Sequence, residues 1–226
     1  MVMGKINVAI DGPAGAGKST IAKAVAKKLG YLYIDTGAMY RSVGVYAKSC
    51  NIDIKSSPEM AEVINSIDIF FEVLDDGQHI YINGKDMNPF IRTPEASMAA
   101  SAVALLPEVR LKLVDIQRTI AKNNNVIMDG RDIGTYVLPN ADLKIFLTAS
   151  VEERARRRYE ELKEKGEDCS LDDVISDMIV RDKQDTEREF APLKQAKDSI
   201  LIDTTGLSLE ESVCKIIQVI EKGINK

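Results

Sequence analysis

A chain of 226 residues is long for one minimal domain and short for two full ones, which predicts one α/β core carrying inserted or mobile pieces. Its 45% hydrophobic and 29% charged content argues against a disordered chain, and a formal net charge of -5 against a general nucleic-acid binder, whose affinity needs a basic surface. Cys50, Cys169 and Cys214 lie far apart with no C-x-x-C pair, and neither a secretory leader nor a membrane-spanning stretch is evident; a disulfide framework, a zinc site and a membrane partner are not expected, and a cytoplasmic location is.

The apolar run Ile6 to Ile10 is short and β-rich, and Ile21, Ala22, Val25, Ala26 and Leu29 recur at helical spacing further on. Between them, Gly12-Pro13-Ala14-Gly15-Ala16-Gly17-Lys18-Ser19-Thr20 fits G-x-x-x-x-G-K-[ST] in full, in the strand-then-helix context that gives the motif its meaning. The glycines let successive N–H groups line one concavity, and the helix start adds unpaired N–H groups and a positive dipole end. Lys18 adds a mobile charge and Ser19 a hydroxyl for Mg²⁺, so a triphosphate is the expected occupant; a plain Gly-rich turn needs neither residue at those offsets.

Gly30 ends the first helix, and Tyr31 to Ile34 predicts a second strand running into Asp35-Thr36-Gly37, at the edge where ligands gather in open α/β sheets. A helix from Ala38 through about Ala47 places Arg41 one turn from that edge. A cation is unfavourable there, which favours an anionic ligand, with a solvated first-turn Arg as the alternative. After Ile52 the character changes. Ser57-Pro58-Glu59 starts a short helix, and Ile69 to Leu74 and His79 to Ile82 read as strands around Asp75-Asp76-Gly77, with a second turn at Asn83-Gly84. Tight turns imply antiparallel ribbon in an inserted subdomain. His79, the single histidine, has no cysteine or carboxylate pattern nearby and reads as strand filler.

Thr93-Pro94-Glu95 starts a helix whose Ala96, Ala99, Ala100, Val103 and Ala104 form a small-residue face, with Ser97 and Ser101 one turn apart. Pro107 restarts the chain as a helix from Glu108 to Lys122, where Arg110 and Arg118 read more readily as a solvated face than as ligands. Val126-Ile127-Met128 then predicts a core strand ending in Asp129-Gly130-Arg131-Asp132. An acid at that point suits Mg²⁺ opposite Ser19, the alternative being a strand-end turn with local Asp hydrogen bonds.

Leu143 to Leu147 is a fourth core strand, and Ser150 with Glu153 forms a capping box. Arg154 shares a face with Arg157 and Arg158, so their guanidinium groups could converge on one anion; pairing of this helix's arginines with Glu152, Glu153, Glu160 and Glu161 is the plainer reading. Lys163 to Asp168, polar and with Gly166, suits a hinge or lid tip. A helix from about Leu171 to Glu189 sets Arg181, Asp185 and Arg188 on one stripe, either a ligand set or an ion-pair ladder along the helix. Ser199 to Ile202 makes a fifth strand, and Ser208 with Glu211 caps a final helix that turns Leu209, Val213, Ile216, Ile217 and Ile220 to the core.

This is the plan of a P-loop kinase: an α/β three-layer sandwich on a five-stranded parallel sheet, with an inserted subdomain carrying antiparallel strands and a helical lid. The expected division is a core of 1–51 and 104–226, an insertion at about 52–103 and a lid at about 154–170. The segments Asp11 to Thr20, Asp35-Thr36-Gly37-Ala38-Met39-Tyr40-Arg41, Ile91-Arg92-Thr93, Asp129-Gly130-Arg131-Asp132-Ile133-Gly134-Thr135 and Lys144-Ile145-Phe146-Leu147 resemble, in this order, the bacterial cytidylate kinases. The resemblance implies transfer of the ATP γ-phosphate to CMP or dCMP with Mg²⁺, by an enzyme of the nucleoside monophosphate kinase fold, here expected to be a monomer.

It further implies that Gly12, Pro13, Ala14, Gly15, Ala16, Gly17, Lys18, Ser19 and Thr20 bind ATP and that Ser19 and Asp129 serve the metal. Arg41 and Arg131 would hold the acceptor's phosphate, with Asp35, Thr36 and Tyr40 in the same segment. Ser101, Arg110, Asp132 and Arg188 would read cytosine, Arg181 and Asp185 would contact the pentose, and Arg154, Arg157 and Arg158 would approach the transferring group beside Lys18 and Arg131. Thr36 stands where the family often has Ser and keeps the hydroxyl. Another P-loop kinase acting on UMP, AMP, GMP or a small alcohol is the nearer alternative. A nucleotide-controlled switch is the farther one, and no N-K-x-D base reader of a GTPase is present.

Overall fold

In chain order the elements are β1 (Asn7–Asp11), α1 (Lys18–Leu29), β2 (Leu32–Asp35), α2 (Thr36–Ser49), α3 (Ser57–Ser66), β3 (Ile69–Leu74), β4 (Gly77–Ile82) and β5 (Lys85–Asp86). There follow α4 (Pro94–Val103), α5 (Pro107–Asn123), β6 (Val126–Gly130), β7 (Leu143–Thr148), α6 (Val151–Glu164), α7 (Leu171–Glu187), β8 (Ile200–Asp203) and α8 (Leu209–Ile224). The computed structural model describes residues 5–74, 77–164 and 166–224. Two units divide the chain: one runs up to Tyr33 and resumes at Asn123, the other is Ile34–Lys122.

The first unit is built on a five-stranded sheet in the order β2-β6-β1-β7-β8. β1 pairs in parallel with β6, Asp11 opposite Gly130, and with β7, Ala9 opposite Lys144. The strands read as near-continuous apolar runs because both faces are covered, as parallel sheets require. Val8, Ile10, Ile127, Ile145 and Leu147 pack with Ile21 and Val25 of α1 and with Val213, Ile216 and Ile220 of α8. α6 and α7 share a small apolar contact of Ala155, Val174 and Met178.

The second unit carries a three-stranded antiparallel sheet, β3-β4-β5, whose Ile80 and Ile82 join Met39, Val43, Met60, Ile64, Val103 and Leu113 from its helices. The small-residue face of α4 does allow close approach: a Cβ added at Gly44 of α2 would lie 2.8 Å from the Cβ of Ala99. Asn83 and Gly84 take positive φ, 50° and 77°, the pair of left-handed residues that a tight hairpin needs, and β5 follows them unannounced by its two-residue length. The turn expected at Asp75-Asp76 lies outside the described residues.

Two expectations change. The helix expected to reach Glu189 stops at Glu187, because Arg188 is extended at φ -60°, ψ 139°. His79 has a carboxylate partner after all: its Nδ1 is 2.8 Å from Asp86 Oδ2 on the neighbouring strand, a diagonal cross-strand pair that linear spacing hides. Cys50 and Cys214 are exposed, and all three thiols are free. No helix among the described residues is long and apolar enough to cross a membrane.

Candidate active site

Asp11 ends β1 and the chain turns at once into the phosphate loop. Gly12 has φ 152°, and a Cβ there would lie 1.9 Å from the carbonyl oxygen of Leu147, so only glycine lets the loop leave the sheet this close to β7. Gly17, at φ 81°, precedes α1 without a side-chain cap, which leaves the first-turn N–H groups of the helix for an anion. Lys18 is buried and its Nζ donates to the carbonyl of Pro13 at 2.6 Å, curling back over its own loop. Burial first, and then the positive charge of Arg131, push its ammonium down to about 7. A polyphosphate in the loop would supply the negative charge that reverses this.

At the end of β6, Asp129 accepts from Ser19 Oγ at 2.8 Å on one oxygen and from the Tyr33 hydroxyl at 2.9 Å on the other. The sequence reading brought Ser19 and Asp129 together correctly and missed Tyr33, whose place two residues from the end of β2 carries no motif. A hydroxyl and a carboxylate side by side are hard oxygen donors, the set Mg²⁺ takes alongside phosphate oxygens. Ser19 and Asp129 therefore fit the ion.

The segment after β6 is tied to α7 by charge. Arg131 Nε donates to Asp185 Oδ2 at 2.7 Å, and Arg188 Nη2 donates to Asp132 Oδ1 at 3.1 Å, with Arg188 Nε on the carbonyl of Ala191. Burial raises the Asp185 carboxyl, but Arg131 with Arg181 and Arg188 behind it outweighs burial and holds it below the usual carboxylate range. Arg131 and Asp132 thus meet two residues of the α7 stripe, Asp185 and Arg188. Arg181 lies on the same element, close enough to act on Asp185.

Arg154, Arg157 and Arg158 of α6 do not converge in this arrangement. Arg154 is 3% exposed and spans three partners: the carbonyls of Ala149 and Ala14 and, at 2.7 Å, the carboxylate of Asp182. It braces the phosphate loop against α7. Arg157 donates to Glu153 and to the carbonyl of Thr204, and its Nη1 lies 3.7 Å from where a Cβ on Gly17 would sit, so it borders the loop. Arg158 pairs outward with Glu161, as Arg156 does with Glu153 and Glu160, the pattern of a charged helix.

In the second unit, Asp35 does two tasks. Its Oδ1 accepts the Ala38 N–H as the cap of α2 and its Oδ2 pairs with Arg41 Nη2 at 2.9 Å, with Arg92 Nη1 3.9 Å away. The capping carboxylate thereby offsets the cation that the helix dipole disfavours. Thr36 is buried beside it. Arg110 is almost fully buried, its guanidinium 5.7 Å from the Tyr40 ring and its Nη1 3.5 Å from the carbonyl of Ala104; the solvated-face reading of Arg110 is therefore wrong. Ser101 Oγ donates back to the carbonyl of Ser97, one turn earlier.

The profile of the family described as cytidylate kinase matches residues 8–222. The cytidylate kinase of Caldicellulosiruptor bescii is 52% identical over 220 residues, 97% of this chain and 97% of that protein. The cytidylate kinase of Bacillus subtilis is 49% identical over 218 residues, 96% of this chain and 97% of that protein. An uncharacterized protein from Eubacterium ventriosum shares the fold in its crystal structure, with a TM-score of 0.54 at 15% identity, over 96% of this chain and 99% of that one. With the family match and the similarity to these relatives both running nearly the length of the chain, and the phosphate loop and the acid at the end of β6 inside them, the chain belongs to the cytidylate kinase family.

Proposed function

We propose that this chain transfers the γ-phosphoryl group of ATP to CMP or dCMP, giving CDP or dCDP. The observation that carries the choice of acceptor is the buried pair of Asp132 and Arg188. Cytosine presents an amino donor at position 4 and acceptors at N3 and O2, so it asks for a carboxylate and a guanidinium side by side. Uracil inverts the pattern at N3 and position 4 and would leave both groups unmatched, which is the kind of mismatch that discriminates strongly.

The remaining roles follow from the same chemistry. The loop from Gly12 to Thr20 cradles the donor's phosphates through its N–H groups, and Lys18 leaves the Pro13 carbonyl to meet them. Ser19 and Asp129 would hold Mg²⁺, which would supply neutralisation of phosphate charge. Arg131, steadied by Asp185, binds the acceptor's phosphate, as does Arg41, steadied by Asp35; Arg181 and Asp185 serve the pentose, Ser101 and Arg110 the base. Arg157, next to the loop, stabilises charge on the transferring group, and Arg154 sets the loop in place. Closure of α6 and α7 keeps water from the donor, without which ATP would be hydrolysed.

Asp132→Ala tests the reading. It raises the KM for CMP far more than the KM for ATP; equal effects on both would remove Asp132 from the acceptor site.

A further inference from the structure

Asp11 is a buried carboxylate beside the phosphate loop, yet both of its oxygens are taken by a different segment. Oδ1 accepts the N–H of Ile133 and Oδ2 the N–H of Gly134, each at 2.7 Å. These are the first amides of a single wide turn, Ile133–Val137, closed by Val137 N–H on the carbonyl of Asp132 and Leu138 N–H on that of Ile133. The opening amides of such a turn have no partner within it and are ordinarily met by the side chain of the residue in front. That residue is Asp132, and it makes no side-chain cap here; its carboxylate goes to Arg188 instead. The cap comes from β1, more than a hundred positions away.

The contact is closed from its other side by Lys144. Lys144 stands opposite Ala9 on the neighbouring strand, and so on the sheet face of Ala9 and Asp11. Its ammonium reaches Asp198 at 2.7 Å while its stem covers Gly134: a Cβ at Gly134 would lie 3.1 Å from Lys144 Cδ and 3.4 Å from Asp11 Oδ2. The turn is held between a carboxylate that bonds its amides and an aliphatic stem that leaves no room to shift.

We infer that Asp11 is a positioning residue for the acceptor nucleotide: by capping the turn at Ile133 and Gly134 from the strand that leads into the phosphate loop, it fixes Arg131 and Asp132 and spares Asp132 the capping role, so that its carboxylate stays paired with Arg188. The inference rests on the assignment of Arg131 and Asp132 to the acceptor. It ties the strand that bears the donor loop to the segment that receives the acceptor, through two hydrogen bonds rather than through contact with either nucleotide.

Asn is the sharp probe, because its amide can accept one of the two N–H groups and turns its own NH₂ toward the other. The intact chain carrying Asp11→Asn is assayed with each nucleotide varied in turn, and its amide hydrogen exchange is followed over residues 130–137 and 12–20. The expected result is a KM for CMP raised about tenfold, a KM for ATP within about twofold of wild type, and faster exchange confined to 130–137. An unchanged KM for CMP, equal shifts of both KM values, or unchanged exchange over 130–137 overturns the inference. Wild type run in parallel separates this from the proposed activity: if wild type does not phosphorylate CMP, that reading fails, and the exchange arm alone decides whether Asp11 holds the turn. Should Asp11→Asn not fold, Gly134→Ala, which crowds the Lys144 stem, replaces it with the same expected split, and its absence counts against the inference.

Discussion

Arg131 and Asp185, 54 positions apart, meet at 2.7 Å, so the guanidinium that follows β6 is aimed by a carboxylate from α7. Asp185→Ala releases it and leaves a partly buried charge unpaired. The expected outcome is a KM for CMP raised on the order of tenfold with little change for ATP, and a loss of stability of about 2 kcal/mol in urea unfolding. An Asp185→Ala enzyme with wild-type CMP kinetics would mean that Arg131 needs no such partner.

Lys18 gives a proton-linkage prediction. With its ammonium pushed down to about 7, most of the side chain is neutral at pH 8 in the free protein, and a bound polyphosphate restores the charge. Calorimetry of ATP binding at pH 8 in buffers of different ionisation enthalpy should therefore show uptake of most of a proton. Lys18→Met should lose the uptake and the turnover while keeping the fold. By the same linkage the unfolded chain holds more protons between about 7 and the ordinary 10.5, so the Lys18 contribution to stability rises with pH across that window. Binding without proton uptake would refute the shift.

Arg154 and Arg158 sit one turn apart on α6 and should behave in opposite ways. Arg154→Ala strands Asp182 and two carbonyls in a buried place and should cost about 3 kcal/mol or more in urea unfolding. Arg158→Ala removes an exposed pair and should stay within about 0.5 kcal/mol of wild type. Equal stabilities of the two variants would show that Arg154 is no brace.

Asp11 carries the acid-side signature. Burial raises it from 3.8 to about 6 against the pull of its two N–H donors. A raised carboxyl favours the folded state at low pH; that contribution is full below 3.8 and is lost as pH rises through about 6. Asp11→Asn has no such slope, so its stability relative to wild type should climb between pH 4 and pH 7 by on the order of 3 kcal/mol. A difference that stays constant with pH would show that Asp11 titrates normally.

What the sequence made legible follows from the range of the physics. All five sheet strands and the phosphate loop are local patterns, an apolar run closed by a turn or a spacing that only one chemistry needs, and they stand where the periodicity put them. Ser19 with Asp129 was reachable because strand ends in such a sheet share an edge. Asp11 as a cap, Arg154 as a brace and Tyr33 on Asp129 were not, since these are hydrogen bonds between residues 122, 140 and 96 positions apart whose linear neighbourhoods hold no trace of the partner. The wide turn after Asp132 was missed for the same reason: its cap is supplied by another strand.

The choice of acceptor is measured most directly by kcat/KM for CMP, dCMP, UMP, AMP and GMP, each with ATP and Mg²⁺ under one set of conditions. CMP and dCMP should exceed the best of the other three by about a hundredfold, the discrimination expected when buried polar groups are left unmatched. A preference for a purine monophosphate, or UMP used as well as CMP, would contradict the reading of the Asp132 and Arg188 pair.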